Sequence, residues 1–224
     1  MELVSGVHAV SQTVEQDGVE NTIHPAAVET SKGIVLLDVG FPGATDQIAA
    51  GLEDMGNGWD DVRSVVLTHQ DGDHAGALQT VVERTDATVY AHEICSPYID
   101  GRKHPIKSPE GQRYPPVDVD VDIVGGVSFR TAAGPMEVIY TPGHAPGHVS
   151  LYFPDERLLI AADALTADED GLAGPSEEYT LEMDEALDSA AALGEFAIEQ
   201  ILCYHGGVVA ADGEAIRELV ATLR

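Results

Sequence analysis

Four short apolar stretches of this chain each lead into a side chain that can bind a metal ion. Residues 63–68, 136–141, 158–161 and 201–204 are four to six residues long and are separated by segments containing glycine, proline or aspartate, which predicts β-strands. The histidines and aspartates that follow these stretches are His69, Asp71, Asp73, His74, His144, Asp163 and His205. Four such strand ends constrain the fold, because they place candidate ligands at the rim of a sheet, where a substrate can arrive.

The densest group of candidate ligands has four metal-capable side chains within the six residues 69–74. Imidazole and carboxylate groups bind borderline and hard divalent ions, and Gly72 allows the backbone to turn so that the two carboxylates converge. The alternative is a polar turn rich in aspartate and histidine, since short motifs give false positives. Asp163 favours a metal site, because an unpaired carboxylate after an apolar strand is costly to bury.

Two further histidines, His144 and His148, lie in a turn rich in glycine and proline. A rigid turn aims a histidine rather than leaving it free, which suits a metal ligand. We expect one of the two histidines to bind metal and the other to be buried among loop carbonyls. Cys95 and Cys203 form no metal-binding or disulfide pattern, so both are interpreted as structural.

The rest of the pattern predicts an α/β chain. Apolar spacing predicts helices over residues 44–55, 75–84, 183–196 and 213–223. Further strands are predicted over 87–91, 117–124, 128–131 and 149–153. The segment 97–117 contains five prolines and is typical of a lid or binding loop, and 168–179 is a second predicted loop. We expect residues 1–224 to form a single domain with two sheets and helices outside them.

The charge of the chain is strongly negative, with 39 acidic and 11 basic residues and a net charge of −28. Phosphate binding needs a basic surface, so we expect no nucleic-acid partner. An acidic surface with three lysines resembles that of halophilic proteins, whose self-repulsion is screened by molar salt, so we expect a salt-requiring protein. No apolar run approaches the length of a membrane span and no signal peptide is evident, which predicts a cytoplasmic protein without membrane contact.

Taken in order, the motifs resemble those of the metallo-β-lactamase superfamily of metallohydrolases. The first motif of that family runs Thr-His-x-His-x-Asp-His, and residues 68–74 match it except at Asp71, where the family usually has histidine. The other matches are Thr-Pro-Gly-His at 141–144, Asp-x-Leu at 163–165, His-Gly at 205–206 and the Asp-x-Gly turn at 38–40. Together these motifs extend over most of the chain.

The resemblance implies an αββα sandwich, in which two mixed sheets are flanked by helices and two divalent metal ions lie at one edge of the sheets. It assigns the ligands by motif position: His69, Asp71 and His144 to the first ion, Asp73, His74 and His205 to the second, and Asp163 to both. His148 matches an outer histidine that would support the ligands from behind. Zinc is the expected metal, and manganese and iron are the alternatives.

The carboxylate at Asp71 sets this chain apart from the usual motif. It lowers the net charge of a two-ion centre by one, so the centre should lower the pKa of its bound water less. It should also shift the metal preference from zinc towards manganese or iron. Alternatively, Asp71 hydrogen-bonds a ligand and leaves the first site weak or empty.

The resemblance implies a hydrolase in which a metal-activated hydroxide attacks the substrate. Asp73 would orient this hydroxide or pass a proton to the leaving group. The expected substrate is a small ester, lactone or thioester. Two alternatives stay open: an iron-dependent persulfide dioxygenase and a non-catalytic metal-binding module. A homodimer would be compatible with the sequence.

A cluster of basic residues stands out in the proline-rich segment: Arg102, Lys103, His104, Lys107 and Arg113. In a chain of this charge, a positive lid would attract an anionic substrate. The alternative is that these side chains form ordinary ion pairs with acidic neighbours. We expect Arg102, Lys103, Lys107 and Arg113 to contact the substrate in the first case.

Overall fold

The computed structural model describes residues 1–16 and 18–224. Its strands are β1 (Glu2–Val4), β2 (Val7–Ala9), β3 (Gln12–Gln16), β4 (Val19–Ile23), β5 (Ala26–Thr30), β6 (Gly33–Leu37), β7 (Val62–Leu67), β8 (Thr88–His92), β9 (Val121–Ile123), β10 (Ser128–Thr131), β11 (Gly134–Tyr140), β12 (Val149–Phe153), β13 (Leu158–Ala162), β14 (Thr166–Asp168), β15 (Gly171–Ala173), β16 (Gln200–Cys203) and β17 (Gly207–Val209).

The helices are short, and the last of them follows the last strand. They are α1 (Thr45–Asp54), α2 (Gly72–Ala75), α3 (Leu78–Thr85), α4 (Ser96–Ile99), α5 (Met183–Leu193) and α6 (Gly213–Leu223), with a 3₁₀ turn at Trp59–Asp61. Within the described part of the chain, none of these helices is long and apolar enough to cross a bilayer.

Within residues 1–16 and 18–224, most strands belong to two large mixed sheets. The first has the order β1-β2-β5-β6-β7-β8-β9, with parallel pairing from β6 through β9. The second has the order β10-β11-β12-β13-β16-β17, in which β13 and β16 are parallel. Two hairpins, β3-β4 and β14-β15, stand apart from these sheets.

Alternating side chains on each sheet divide the core into three layers. On β6, Ile34 and Leu36 pack under α1 and α3, whereas Val35 and Leu37 face the second sheet. On β13, Leu158 and Ile160 face the first sheet, and Leu159 packs under α5 and α6. A strand that is buried on both faces reads as a continuous apolar run. This layering confirms the predicted αββα sandwich.

The single helix predicted over 75–84 is wrong at its start, where the structure has the one-turn helix α2 and then α3. The backbone N–H groups of Val39 and Gly40 donate to the carbonyl oxygen of His74, at 2.9 and 3.1 Å. The His74 carbonyl oxygen therefore accepts hydrogen bonds from the residues that follow β6, and not from the next helical turn. The break fixes His74 against the first sheet.

Two other predicted boundaries differ from the structure. The strand predicted over 117–124 is limited to β9, because the Val89 N–H donates to the Asp120 side chain (2.8 Å) and not to a strand carbonyl. The loop predicted over 168–179 begins inside the hairpin β14-β15, whose turn is closed by the Asp170 N–H donating to the Asp168 carboxylate at 2.8 Å.

Candidate metal centre

The strands of the two sheets deliver the candidate ligands to one edge of the sandwich. Four of them lead into a ligand: β7 into His69, β11 into His144, β13 into Asp163 and β16 into His205. The N–H of Val149 at the start of β12 donates to the Thr68 carbonyl oxygen at 3.0 Å, which joins the two sheets beside β7. The loop that carries His69 is thus joined by a backbone hydrogen bond to the loop that carries His144.

Within the described residues, the structure brings the candidate ligands into three overlapping groups. In each group, one nitrogen or oxygen atom from every residue lies within 4.8 Å of the others. The groups are His69, Asp71 and His144; His69, His74 and Asp163; and Asp73, His74 and His205. The first and third groups coincide with the two ligand sets that the motif positions imply.

Asp163 lies between the two sets. Its Oδ1 is 3.2 Å from His74 Nε2, and its Oδ2 is 3.2 Å from His144 Nε2 and 3.5 Å from His205 Nε2. The side chain is 8% exposed. One carboxylate therefore reaches a histidine of each set, which is the geometry required of a bridging ligand.

The hydrogen-bond inventory supports a metal ion at this position. Three buried atoms here have no hydrogen-bond partner: Nε2 of His69, Nε2 of His74 and Oδ1 of Asp163. Leaving a buried polar atom unpaired costs about 1–3 kcal/mol. Divalent cations bound here would accept electron pairs from these atoms and would remove that cost. The residues present therefore fit a metal centre.

The charge states of two ligands of the first set also suit metal binding. Burial opposes ionisation of Asp71, but the nearby His69 and the hydrogen bond with His144 hold the pKa of that carboxyl well below its usual range. Burial lowers the pKa of His69, and neighbouring His74 lowers it further. The first set thus presents an ionised carboxylate beside a neutral imidazole, which are the ligand forms of both groups, whereas neighbouring carboxylates raise the pKa of His74 and His205 in the second set.

Asp38 orients His74 from behind. Its Oδ2 is 2.8 Å from His74 Nδ1, and its two carboxylate oxygens accept hydrogen bonds from the backbone N–H (2.8 Å) and the hydroxyl (2.7 Å) of Thr68. A carboxylate on Nδ1 leaves the Nε2 lone pair available for metal. Asp38 has a positive φ of 59°, a strained conformation for a non-glycine residue. The Asp-x-Gly turn was visible in the sequence, but this orienting role was not assigned.

Tyr204 is a second supporting residue that sequence reasoning did not identify. Its ring stacks on His74 with a centroid distance of 3.6 Å, and its hydroxyl donates to the carbonyl oxygen of Asp73 at 2.6 Å. It therefore fixes two candidate ligands of the second set at once. Its position directly before His205 was the available signal.

His148 is placed behind the ligands. Its Nδ1 is 2.9 Å from the Thr141 hydroxyl, and its Nε2 accepts a hydrogen bond from the backbone N–H of Asp163 at 3.1 Å. Burial and the nearby His69 hold its pKa well below the usual value, so it is neutral. Both ring nitrogens are used in hydrogen bonds, which leaves His148 to hold the Asp163 backbone in place.

The ligands open onto a large cavity of about 1160 Å³. Phe41, Pro42 and Tyr179 contribute apolar surface to its wall, and the proline-rich segment contributes residues 105–115 in part. The side chain of Asp73 is 25% exposed, compared with 8% for Asp163. Among the carboxylates of the second set, Asp73 therefore has the greater access to a molecule in the cavity.

The basic cluster of the proline-rich segment separates in the structure. Arg102 pairs with Asp100, with a distance of 2.6 Å from Nε to Oδ2, and Lys103 Nζ lies 5.0 Å from the centre of the Tyr98 ring. Neither Arg102 nor Lys103 is part of the cavity wall. The structure does not bring these two residues to the metal ligands.

The remaining basic residues of the segment have different contacts. Arg113 borders the cavity, but its guanidinium donates to the backbone carbonyls of Tyr98 and Ile99, at 3.0 and 3.2 Å. His104 Nε2 lies 3.1 Å from the Pro109 carbonyl oxygen. Lys107, in contrast, reaches the candidate ligands directly. Substrate contact by any of these residues stays a prediction.

Comparison with known proteins gives a consistent result. The model of the metallo-beta-lactamase superfamily matches residues 25–205. The probable metallo-hydrolase YflN of Bacillus subtilis is 28% identical, over 92% of this chain and 85% of that protein. The probable metallo-hydrolase YybB of the same organism is 26% identical, over 90% of this chain and 89% of that protein.

Two further similarities bear on the activity and on the fold. A hydroxyacylglutathione hydrolase of Rhizobium meliloti is 34% identical, but over 49% of this chain and 36% of that protein. The crystal structure of a metallo-beta-lactamase family protein from Thermus thermophilus superimposes with a TM-score of 0.76 at 22% identity, covering 99% of this chain and 79% of that chain. At this identity, the structural likeness supports the fold alone.

Proposed function

Because this chain belongs to the metallo-beta-lactamase superfamily, we propose that it is a hydrolase that uses two divalent metal ions, zinc first among them, on a small ester, lactone or thioester. The observation that carries the proposal is the convergence of two ligand sets on Asp163, with unpaired atoms on His69, His74 and Asp163 itself. When bound, the ions would supply Lewis acidity and lower the pKa of a water molecule.

The protein's own residues have separate roles in this proposal. Asp73 is the residue that would hold or move a proton, because its carboxylate is accessible from the cavity and lies 3.2 Å from His205 Nε2. That contact orients the Asp73 carboxylate towards His205, which belongs to the same ligand set. The leaving group of an ester or thioester needs a proton, which a carboxylate at this position can take from the attacking water and pass on.

The cavity and one relative support the proposed substrate class. The wall combines apolar residues such as Phe41 and Tyr179 with the polar ligand edge, which suits a small molecule with an apolar part and a polar acyl group. The hydroxyacylglutathione hydrolase similarity supports a thioester among the candidates. Hydrolysis of the acyl bond is the reaction common to esters, lactones and thioesters.

The test is metal content together with a hydrolysis screen. Protein purified in high KCl without chelator is analysed by mass spectrometry for zinc, manganese and iron, and is then assayed with an aryl ester, a lactone and an acyl thioester. Hydrolysis that is lost in His74→Ala and Asp163→Asn, but kept in the exposed control Asp118→Asn, supports the proposal. Metal-loaded protein that hydrolyses none of the three substrate types contradicts it.

The carboxylate of Asp71 favours a second candidate function, because it makes the first ligand set harder than one built from histidines alone. Such a set can bind iron, and an iron-dependent persulfide dioxygenase is therefore the alternative function. One iron per chain and oxygen uptake with a persulfide would replace the hydrolase proposal.

A further inference from the structure

Lys107 places a positive charge inside the first ligand set. Its Nζ donates to Asp71 Oδ2 at 2.5 Å and lies 2.7 Å from His144 Nε2. His69 Nε2 is 3.2 Å from the same Asp71 oxygen. The ammonium group is therefore in contact with two of the three residues that the first metal ion would use, and it neutralises the carboxylate among them.

The backbone around Lys107 is fastened to the loop that carries the ligands. The N–H of Ile106 donates to Gln70 Oε1 at 3.0 Å, and the hydroxyl of the buried Tyr114 donates to the Gln70 carbonyl oxygen at 2.8 Å. Gln70 lies between His69 and Asp71 in the sequence. Both hydrogen bonds hold the proline-rich segment over the first ligand set, so Lys107 is positioned by the fold rather than by its own side chain alone.

The charges of the centre are consistent with one metal ion and one ammonium group. Three carboxylates, Asp71, Asp73 and Asp163, converge here, and one divalent ion together with the Lys107 ammonium balances them. A metal ion and an ammonium group bound to the same carboxylate oxygen would repel each other strongly in a buried site. Occupation of the first set by the lysine therefore opposes occupation by a metal ion.

We propose that Lys107 is the resident cation of the first ligand set, so that the resting protein holds one divalent ion, bound by Asp73, His74 and His205 with Asp163. A second ion enters only when the Lys107 side chain leaves Asp71. This inference rests on the proposed metal centre. It assigns to the proline-rich segment the control of how many ions the centre contains.

The experiment compares zinc retention in the wild-type protein, Lys107→Met and Lys103→Met. Methionine keeps an unbranched side chain but carries no charge. Lys103 lies in the same segment without contacting the ligands, so its replacement controls for lost charge. Each protein is loaded with zinc in KCl and desalted. Zinc per chain is then measured by mass spectrometry, and affinity is measured by competition with a chromogenic chelator.

We expect about one zinc per chain in wild type and Lys103→Met, and about two in Lys107→Met, whose weaker site gains at least about tenfold in affinity. Lys107→Arg, which keeps the charge, should stay near one, and near-ultraviolet circular dichroism confirms that each variant is folded. Equal zinc content in wild type and Lys107→Met overturns the inference. Two ions in both leave the proposed hydrolase standing, whereas no zinc in either also overturns the metal centre.

Discussion

The carboxylate of Asp38 lies 2.8 Å from Nδ1 of His74, although the two residues are 36 positions apart in the sequence. Asp38 follows β6 and His74 belongs to α2, so the contact joins the first sheet to the ligand loop. It determines which imidazole nitrogen faces the centre. The strained backbone of Asp38 is stabilised by the two hydrogen bonds from Thr68.

Replacing Asp38 by asparagine should weaken zinc binding by about 10- to 100-fold, the usual effect of losing a carboxylate behind a metal-binding histidine. Competition with a chromogenic chelator measures this affinity. Asp86→Asn is the matched control, because Asp86 also has a positive φ but is exposed and distant from the ligands. Equal affinities in the two variants would show that Asp38 has no orienting role.

Replacing Tyr204 by phenylalanine should keep the ring stacked on His74 and remove the hydrogen bond to the Asp73 carbonyl. We expect a loss of about 1 kcal/mol in the free energy of unfolding together with weaker zinc binding. Tyr152→Phe is the matched control, because the Tyr152 hydroxyl donates to the Ala197 carbonyl oxygen at 2.8 Å, away from the centre. The control should lose stability but bind zinc normally, and a parallel loss of affinity would refute the specific role of Tyr204.

Replacing Asp71 by histidine should raise zinc affinity, because it removes the carboxylate partner of Lys107 and supplies a softer ligand. The gains from Asp71→His and Lys107→Met should not add, since both act on one contact. Chelator competition on the single and double variants should show a coupling of about 0.5–3 kcal/mol. Fully additive effects would mean that Asp71 and Lys107 act independently on metal binding.

Removing metal with a chelator should lower the melting temperature. The unpaired atoms of His74 and Asp163 would be satisfied by metal in the folded state only. An ion present at about 100 times its Kd contributes about 2.7 kcal/mol to stability. Calorimetry in constant high KCl, before and after chelation and again after zinc is restored, measures the effect. A melting temperature insensitive to the chelator would argue against a metal centre.

Lowering KCl should destabilise the chain, because a net charge of −28 repels itself when salt no longer screens it. The reactivity of Cys95 and Cys203 measures this loss of stability, because both thiols are buried in the folded protein. Burial also raises the pKa of the Cys203 thiol to about 12. We expect both thiols to resist a thiol reagent in about 2 M KCl and to react as KCl falls below about 0.1 M. Faster reaction at high salt would contradict the salt requirement.

The fold was accessible from the sequence because its signals are local. Continuous apolar runs such as 158–161 predict strands buried on both faces, and the motif at 68–74 places histidine and aspartate at the end of one of them. These signals predicted two sheets with helices outside them, and the resemblance of the motifs to the metallo-β-lactamase superfamily implied the αββα sandwich; the fold and the family are both confirmed. The ligand assignment rests on the same local motifs and stays a prediction.

The details that the sequence did not provide depend on distant contacts. The helix break after α2 depends on Val39 and Gly40, which occupy the His74 carbonyl from another strand end. The five basic residues of the proline-rich segment were indistinguishable in sequence, because no periodicity shows where an irregular segment points. The hydrogen bonds of Gln70 with this segment bring Lys107, and not Lys103, to the ligands.

The net charge of −28 and the position of Lys107 in the cavity wall together determine how salt affects the approach of an anion to this chain. An anionic substrate approaching this chain crosses a negative field created by its net charge of −28 and meets attraction only at the end of its path. At about 1 M salt the field fades within roughly 3 Å, while a direct contact with the ammonium group persists. Concentrated salt thus screens the repulsion between the chain and an anion. The association rate of an anion should therefore rise with ionic strength instead of falling.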